Sequence, residues 1–219
     1  MKDICAVLFD MDGLLIDDER INIGSCCEMA EIMGFTIDPL DIARHCMGAT
    51  RETVIDCYRA ILPADVDVNA FLEAKNKLLL KHFEELGFPP MKGAEELLSW
   101  LHLHGIACVL ATSSGMDKVE ARLGSAGLAH LLDHIVTGDM VTHSKPDPEI
   151  YLKAAAKADA PIEKCLVLED SYNGVRAGRA SGAVVGMVPD TLPFDDTCAP
   201  HVDFVFDSLR DVIDWLQAD

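Results

Sequence analysis

An apolar run near the start of the chain ends abruptly at two acidic residues, and this feature constrains the fold more than any other. Ala6-Val7-Leu8-Phe9 is followed at once by Asp10-Met11-Asp12-Gly13. Alternate residues of an extended chain share a side, so Asp10 and Asp12 are expected to point to the same face. Gly13 allows the backbone to turn away immediately. The pattern predicts a buried strand of a parallel sheet, whose carboxyl end opens into a ligand crevice.

Two carboxylates held this close repel each other unless a cation lies between them. Hard oxygen ligands favour Mg²⁺, so Asp10 and Asp12 are candidate metal ligands. One carboxylate could then act as a nucleophile and the other could transfer protons. From these residues alone, a solvated turn after an edge strand explains the pattern equally well.

The segment after Asp12 is helical in pattern, without a strand-like run between Asp17 and Leu86. The spacing of apolar residues predicts helices over 17–34, 50–61 and 68–86. In the third helix, the predicted apolar stripe consists of Leu72, Leu79, Phe83 and Leu86. Pro89-Pro90 cannot continue a helix, so the helical segment is expected to end there.

From Met91 onward helices alternate with strands, and this order predicts a doubly wound parallel sheet. Strands are predicted at 106–111, 134–136, 165–168, 183–187 and 203–206. Helices are predicted at 94–105, 115–126, 173–180 and 208–216. A further helix is predicted to begin near Pro148, with Asp147 as its N-cap. The predicted fold is α/β, with a Rossmann-like core of residues 1–16 and 89–219. Residues 17–88 form an inserted helical domain.

Composition limits the partners and the compartment. The formal charge of −19 argues against nucleic acid and anionic membrane surfaces, because both bind basic patches. A small phosphate ester remains possible, since local donors and a metal can bind it. The eight cysteines form no C-x-x-C pair and are expected to be buried thiols. Without a signal peptide or a bilayer-length apolar run, we expect a cytoplasmic protein, and a monomer.

The ends of three predicted strands carry groups suited to phosphate chemistry. Asp10 and Asp12 follow the first strand. Thr112 and its neighbouring amides follow the second strand, and the adjacent acids Glu169 and Asp170 follow the third. These ends should meet in one crevice. Four carboxylates gathered there would be costly without a divalent cation, which again indicates Mg²⁺. The alternative, that the acids only cap helices, does not explain why they converge.

Lys145 completes this set of candidate residues. It lies in Ser144-Lys145-Pro146-Asp147-Pro148, where two prolines restrict the loop. A positive charge at the mouth of the sheet could neutralise an attacking carboxylate and a transferring phosphoryl group. The alternative is a solvated surface lysine, as most lysines are.

Four ordered motifs make the whole chain resemble the haloacid dehalogenase superfamily, in its first subfamily with a helical cap. The motifs are Phe9-Asp10-Met11-Asp12-Gly13, Leu110-Ala111-Thr112-Ser113-Ser114, Ser144-Lys145-Pro146-Asp147-Pro148 and Leu168-Glu169-Asp170-Ser171-Tyr172-Asn173-Gly174. The resemblance implies an aspartyl-phosphate formed on Asp10, with Asp12 as general acid and base.

The same resemblance implies roles for the other motif residues. Asp12 would also offer its backbone carbonyl to Mg²⁺, and Glu169 and Asp170 would hold the metal directly or through water. Thr112, Ser113 and Lys145 would bind the phosphoryl group. Residues 17–88 correspond to the cap that closes over the crevice and selects substrates.

Within the superfamily, the chain is similar to the branch that holds β-phosphoglucomutase, 2-deoxyglucose-6-phosphate phosphatase and pseudouridine-5′-phosphatase. Arg51 matches the cap arginine with which the mutase binds its distal phosphate. The mutase's cap histidine, however, falls on Asn22, which cannot titrate, and its phosphate-binding asparagine falls on Met116. Arg20 and Ser114 are further candidate substrate contacts.

These comparisons favour a phosphomonoester hydrolase acting on a small phosphorylated sugar or nucleoside. The enzymatic alternative is a phosphomutase that uses the same Asp10 intermediate. A receiver-type signalling domain also groups acids, a hydroxyl and a lysine at the end of a parallel sheet. That module consists of the core alone, so the helical insertion argues against it.

Overall fold

The computed structural model describes residues 2–46 and 54–218. They form two compact units, each with its own interior. One unit consists of the described residues up to Asp17 and those from Phe88 onward, and the other of those from Asp18 to Gly87. The boundaries between the units lie one residue from those predicted for the inserted domain.

The first unit is built on a parallel sheet of six strands in the order β3-β2-β1-β4-β5-β6. The strands are β1 (Ala6–Phe9), β2 (Ala107–Ala111), β3 (His134–Val136), β4 (Cys165–Glu169), β5 (Val184–Met187) and β6 (Phe204–Val205). The strand order reverses its direction of progression at β1, which is where a doubly wound sheet binds its ligands. The predicted fold class is confirmed.

The helices of the described residues follow in chain order. They are α1 (Glu19–Ile32), α2 (Pro39–Cys46), α3 (Val54–Ile61), α4 (Val68–Leu86), α5 (Ala94–Leu103), α6 (Met116–Ala126), α7 (Glu149–Lys157), α8 (Tyr172–Ser181) and α9 (Leu209–Gln217). Helices α1 to α4 belong to the second unit and the others to the first.

Helices cover both faces of the sheet because its strands alternate their side chains between two apolar layers. Val7 and Phe9 of β1 face a layer that includes buried residues of α5, α6 and α9. Ala6 and Leu8 face the other layer, which is formed with α7 and α8. All four of these β1 residues are fully buried, so the strand that leads to Asp10 is fixed on both sides.

The second unit packs around Phe71 of α4. The ring of Phe71 lies 5.9 Å from that of Tyr58 and 6.1 Å from that of Phe35, measured between centroids. The buried residues of α4 are Val68, Phe71 and Lys75. Of the predicted stripe, Leu72, Leu79 and Phe83 are half-buried and Leu86 is exposed, so the stripe borders the buried face of the helix and does not form it. These aromatic contacts select a neighbouring face of the helix, and they leave Leu86 66% exposed.

Other differences from the sequence-based prediction concern helix boundaries. Helix α2 was not predicted, and α3 begins at Val54, since residues 50–53 lie outside the described part of the chain. Pro148, rather than Asp147, occupies the N-cap position of α7, while the Asp147 side chain accepts a hydrogen bond from the amide of Glu149. Among the described residues, we find no helix with the combined length and apolarity needed to span a membrane.

Candidate active site

The register of the sheet places three candidate segments side by side. Phe9 of β1 pairs with Leu110 of β2 and with Leu168 of β4. The amide of Asp10 continues this ladder by donating to the carbonyl of Leu168 at 3.1 Å. Asp10 therefore emerges beside Glu169, at the carboxyl edge of the sheet. Gly13, with φ of 82°, then turns the chain away from the edge.

Three acidic side chains form one buried group at this edge. Carboxylate oxygens of Asp10, Glu169 and Asp170 all lie within 4.8 Å of one another. All three residues are at most 9% exposed. Buried carboxylates in this number are strongly unfavourable without cations. The group provides the hard oxygen donors that Mg²⁺ prefers, so the residues present fit a divalent cation.

Lys145 lies between two members of this group. Its Nζ is 2.5 Å from Oδ1 of Asp10 and 2.7 Å from Oε1 of Glu169. The lysine side chain is only 6% exposed, which excludes the solvated surface lysine considered from the sequence. It also lies over the ring of Tyr151, 4.9 Å from the centroid. Lys145 is thus held in place by two charges and an aromatic face.

The loop that carries Lys145 is tied to the start of α7. The Glu149 carboxylate accepts hydrogen bonds from the amides of Thr142 and His143, and it pairs with Lys153 at 2.6 Å. These donors lower the pKa of Glu149 to about 2, with the Lys153 hydrogen bond as the largest cause. The restraint on this loop therefore includes a carboxylate as well as the two prolines noted in the sequence.

Glu169 is held by hydrogen bonds to both of its oxygens. Oε1 accepts from Lys145 and, at 2.6 Å, from the hydroxyl of Tyr151. Oε2 accepts from the hydroxyl of Ser171 at 2.9 Å and from the amides of Asp170 and Ser171 at 3.2 Å. A carboxylate offers about four lone-pair sites. Glu169 is therefore bonded chiefly to the protein itself, and it fixes the position of the Lys145 ammonium.

Burial and charge act in opposite directions on the pKa values of this group. Burial raises the pKa of Asp10 to about 7, although Lys145 partly opposes the shift. Burial by itself would raise the pKa of Glu169, but Lys145 and the neighbouring donors bring it below its usual value. For Lys145, burial is outweighed by Asp10 and Glu169, which raise the lysine pKa well above normal. Lys145 is therefore a permanent cation.

The carboxylate of Asp12 turns toward the neighbouring loop and helix. Its Oδ2 accepts from the Ser114 hydroxyl at 2.8 Å, and its Oδ1 is paired with the guanidinium of Arg122 on α6. The structure thus gathers three of the four predicted carboxylates in one group. The Asp12 side chain is not part of this group, because its oxygens bind Ser114 and Arg122 instead.

The loop after β2 presents backbone and hydroxyl groups at the same edge. Thr112 is buried, its amide donates to the Val136 carbonyl at 3.1 Å, and its Oγ1 accepts from the amide of Ser114 at 3.0 Å. Ser113 is exposed at the tip of the loop. Gly138 packs so closely that a Cβ there would overlap the Ser113 carbonyl. The conformation of the predicted phosphate-binding loop is therefore tightly determined.

The predicted cap residues fall into two groups. Arg20 and Asn22 lie in the first turn of α1, within the second unit, where the amide of Asn22 donates to the carbonyl of Asp18 at 2.9 Å. Arg51 lies outside the described residues. The substrate contacts assigned to these three residues remain predictions.

Sequence reasoning assigned no role to three residues that contact the candidate site. Tyr151 and Ser171 bind Glu169, and Arg122 binds Asp12. A tyrosine in an otherwise alanine-rich helical segment and a serine at a predicted helix start were possible signals for the first two. Arg122 carried no such signal, because a single arginine on a helix resembles any surface cation.

We expect Gly174→Ala to displace Glu169, because a Cβ at Gly174 of α8 would overlap its carboxyl group. Overpacking a buried site should lower the free energy of unfolding by about 1–3 kcal/mol. The matched control is Gly124→Ala on α6, where a Cβ meets nothing within 4 Å. There the higher helix propensity of alanine should raise stability by up to about 1 kcal/mol. Urea unfolding of both variants measures the difference, and equal stabilities would contradict this account of Glu169.

Comparison with known proteins identifies the family. The sequence model of the haloacid dehalogenase-like hydrolases matches residues 7–188. A protein of Drosophila melanogaster, described as a probable pseudouridine-5′-phosphatase, is 36% identical over 96% of this chain and 92% of its own length. A phosphorylated carbohydrates phosphatase of Thermotoga maritima is 32% identical over 81% of each chain.

A solved structure from Thermotoga maritima, provisionally described as a β-phosphoglucomutase, has a TM-score of 0.78. It is 27% identical in sequence, and the match covers 97% of this chain and 98% of that one. These similarities confirm the resemblance carried by the four motifs, and they remove the support for a receiver-type domain. The chain belongs to the haloacid dehalogenase-like hydrolase family.

Proposed function

We propose that the protein is a Mg²⁺-dependent phosphomonoester hydrolase that forms an aspartyl-phosphate on Asp10. The observation that carries this proposal is the buried group of Asp10, Glu169 and Asp170, with Lys145 inserted between the first two. A carboxylate beside a fixed ammonium, at the ligand-binding edge of a doubly wound sheet, is suited to attack a phosphoryl group.

In the first step, a carboxylate oxygen of Asp10 attacks phosphorus. The bond between phosphorus and the ester oxygen breaks, and its electron pair leaves with that oxygen. Asp12, as a carboxylic acid, gives its proton to the leaving oxygen, so that an alcohol departs. Lys145 balances the negative charge on the phosphoryl oxygens, and the Thr112 hydroxyl together with the amide and hydroxyl of Ser113 would donate to them.

In the second step, the Asp12 carboxylate accepts a proton from a water molecule as the water oxygen attacks phosphorus. The bond between phosphorus and the Asp10 oxygen breaks, which releases inorganic phosphate and restores both carboxyl groups. The balance of the two steps is the hydrolysis of one ester to an alcohol and phosphate. Asp12 therefore acts first as acid and then as base.

Asp10 and Asp170, with the backbone carbonyl of Asp12, would hold Mg²⁺. The bound ion supplies charge stabilisation for the phosphoryl oxygens and keeps Asp10 ionised. The second effect would act against burial, which raises the pKa of Asp10 to about 7. We assign Glu169 chiefly to positioning Lys145, since its oxygens already accept hydrogen bonds from Lys145, Tyr151 and Ser171.

The substrate class we propose is a small phosphorylated sugar or nucleoside. The names of the two relatives, a pseudouridine-5′-phosphatase and a phosphorylated carbohydrates phosphatase, support this class. Phosphomutase activity is the second candidate, supported by the structural similarity to the provisional β-phosphoglucomutase. The residue expected to replace the mutase's proton-exchanging histidine is Asn22, which cannot titrate, and this difference favours hydrolysis.

We expect Asp10→Asn to lower phosphate release by at least about 10³-fold, because an amide is a poor nucleophile and a weak ligand for Mg²⁺. The control is Asp117→Asn, which makes the same change at an exposed position of α6. Phosphate release from a panel of sugar phosphates and nucleotides gives the rates, and circular dichroism verifies that both variants fold. Activity of Asp10→Asn near the wild-type rate would refute the assignment of the nucleophile.

Removing divalent ions should abolish hydrolysis and leave the fold in place. Wild-type protein treated exhaustively with chelator is assayed for phosphate release, and Mg²⁺ is then added back in excess. We expect full recovery with Mg²⁺ and a smaller response to Ca²⁺, which favours larger and less regular coordination. Hydrolysis that persists without divalent ions would contradict the metal site.

Phosphorus NMR distinguishes the hydrolase from the mutase. The protein is incubated with β-glucose 1-phosphate or glucose 6-phosphate, with a trace of glucose bisphosphate present. We expect release of inorganic phosphate to exceed interconversion, because water intercepts the phosphoenzyme when no titrating cap residue activates a sugar hydroxyl. Rapid interconversion with negligible free phosphate would instead support the mutase.

A further inference from the structure

Both oxygens of the Asp12 carboxylate are held by side chains of the first unit. Ser114 donates to Oδ2 at 2.8 Å, and Arg122 pairs with Oδ1. The side chains of Asp12 and Arg122 are 27% and 15% exposed, so this pair is largely removed from water. A charged hydrogen bond in such a place is stronger and more directional than one at the surface.

Arg122 is itself restrained on its other side. Its guanidinium carbon lies 5.6 Å from the centroid of the Phe88 ring. One turn further along α6, the hydroxyl of Ser125 accepts a hydrogen bond from the amide of Phe88 at 2.9 Å. The helix therefore contacts Phe88 at two points, and one of these contacts restrains the guanidinium of Arg122.

Asp12 needs such a restraint because of its surroundings. The Asp12 side chain sits two residues from Asp10, whose carboxylate belongs to the buried acidic group with Glu169 and Asp170. Repulsion from the neighbouring acids would push an unrestrained carboxylate toward solvent. A misplacement of about 1 Å is enough to slow a proton transfer severely.

We propose that Arg122 is the positioning residue for Asp12, which it holds in the orientation required to protonate the leaving group. This inference rests on the proposed hydrolase function, and it concerns a residue outside the four motifs. In this proposal Arg122 has no contact of its own with the phosphoryl group. It acts through the Asp12 carboxylate, with Ser114 holding the second oxygen of that carboxylate.

The proposal predicts a dependence on the leaving group that a purely structural role would not produce. When the released phenol is acidic, as p-nitrophenol is, the phosphorus–oxygen bond breaks without proton transfer from an acid. When the leaving group would otherwise be a strongly basic alkoxide, as with benzyl phosphate, bond cleavage depends on a proton from Asp12. The ratio kcat/KM reports the steps up to bond cleavage, so it isolates this dependence from the later hydrolysis of the phosphoenzyme.

The experiment compares p-nitrophenyl, phenyl and benzyl phosphate, three esters of similar size. For Arg122→Met we expect kcat/KM to fall about 10- to 100-fold with benzyl phosphate, less with phenyl phosphate, and by less than about threefold with p-nitrophenyl phosphate. The matched control is Lys118→Met, which removes a positive charge from an exposed position of the same helix. It should leave all three values unchanged.

Two further variants separate positioning from a loss of folding. Arg122→Lys retains the charge, so it should recover part of the benzyl phosphate activity even where Arg122→Met is unstable. In an Asp12→Asn background, Arg122→Met should cause no additional loss with benzyl phosphate, because the two residues act as a unit. Fully additive losses in this cycle would overturn the proposal.

The possible failures are distinguishable. Equal losses on all three esters in Arg122→Met and Arg122→Lys would overturn the role of Arg122 and leave the hydrolase intact. Failure of the wild-type protein with Mg²⁺ to release phosphate from any of the three esters would instead count against the proposed function, and the inference would fall with it.

Discussion

The buried contact of Lys145 with Asp10 and Glu169 is the interaction on which the rest of the site depends. Acidic side chains in a group this deeply buried would repel each other and lose their hydration. A fully buried Glu169 is tolerated because Lys145, Tyr151 and Ser171 bind its oxygens. The cost of burial is thereby offset by contacts that also fix the lysine next to the proposed nucleophile.

Several parts of the first unit support this contact. Because Gly174 has no side chain, there is room beside it for the Glu169 carboxyl group. The Glu149 carboxylate binds backbone amides of the loop that carries Lys145. The central position of β1 in the sheet brings Asp10 beside Glu169. The geometry proposed for phosphoryl transfer is therefore built from a sheet, two helix starts and a restrained loop, and not from flexible surface groups.

The two acids of the first motif have different surroundings, and this separates their proposed tasks. Asp10 faces Lys145 and lies in the buried group with Glu169 and Asp170, which suits the proposed nucleophile. Asp12 is bound by Ser114 and Arg122, which suits a group that transfers protons from a defined position. Residues with the same side chain, two positions apart, thus acquire distinct chemistry from their partners.

The sequence by itself determined the fold class, the family and the strand ends at which the acids gather. Apolar periodicity, the alternation of helices and strands, and motif order are local properties, and a parallel sheet brings its carboxyl ends together. Only the tertiary structure decided the buried face of α4, the orientation of Asp12, and the partners Tyr151 and Arg122. Those outcomes depend on which side chains meet across elements distant in sequence. Arg122, for example, lies 110 residues from Asp12, and no local pattern encodes a contact of that kind.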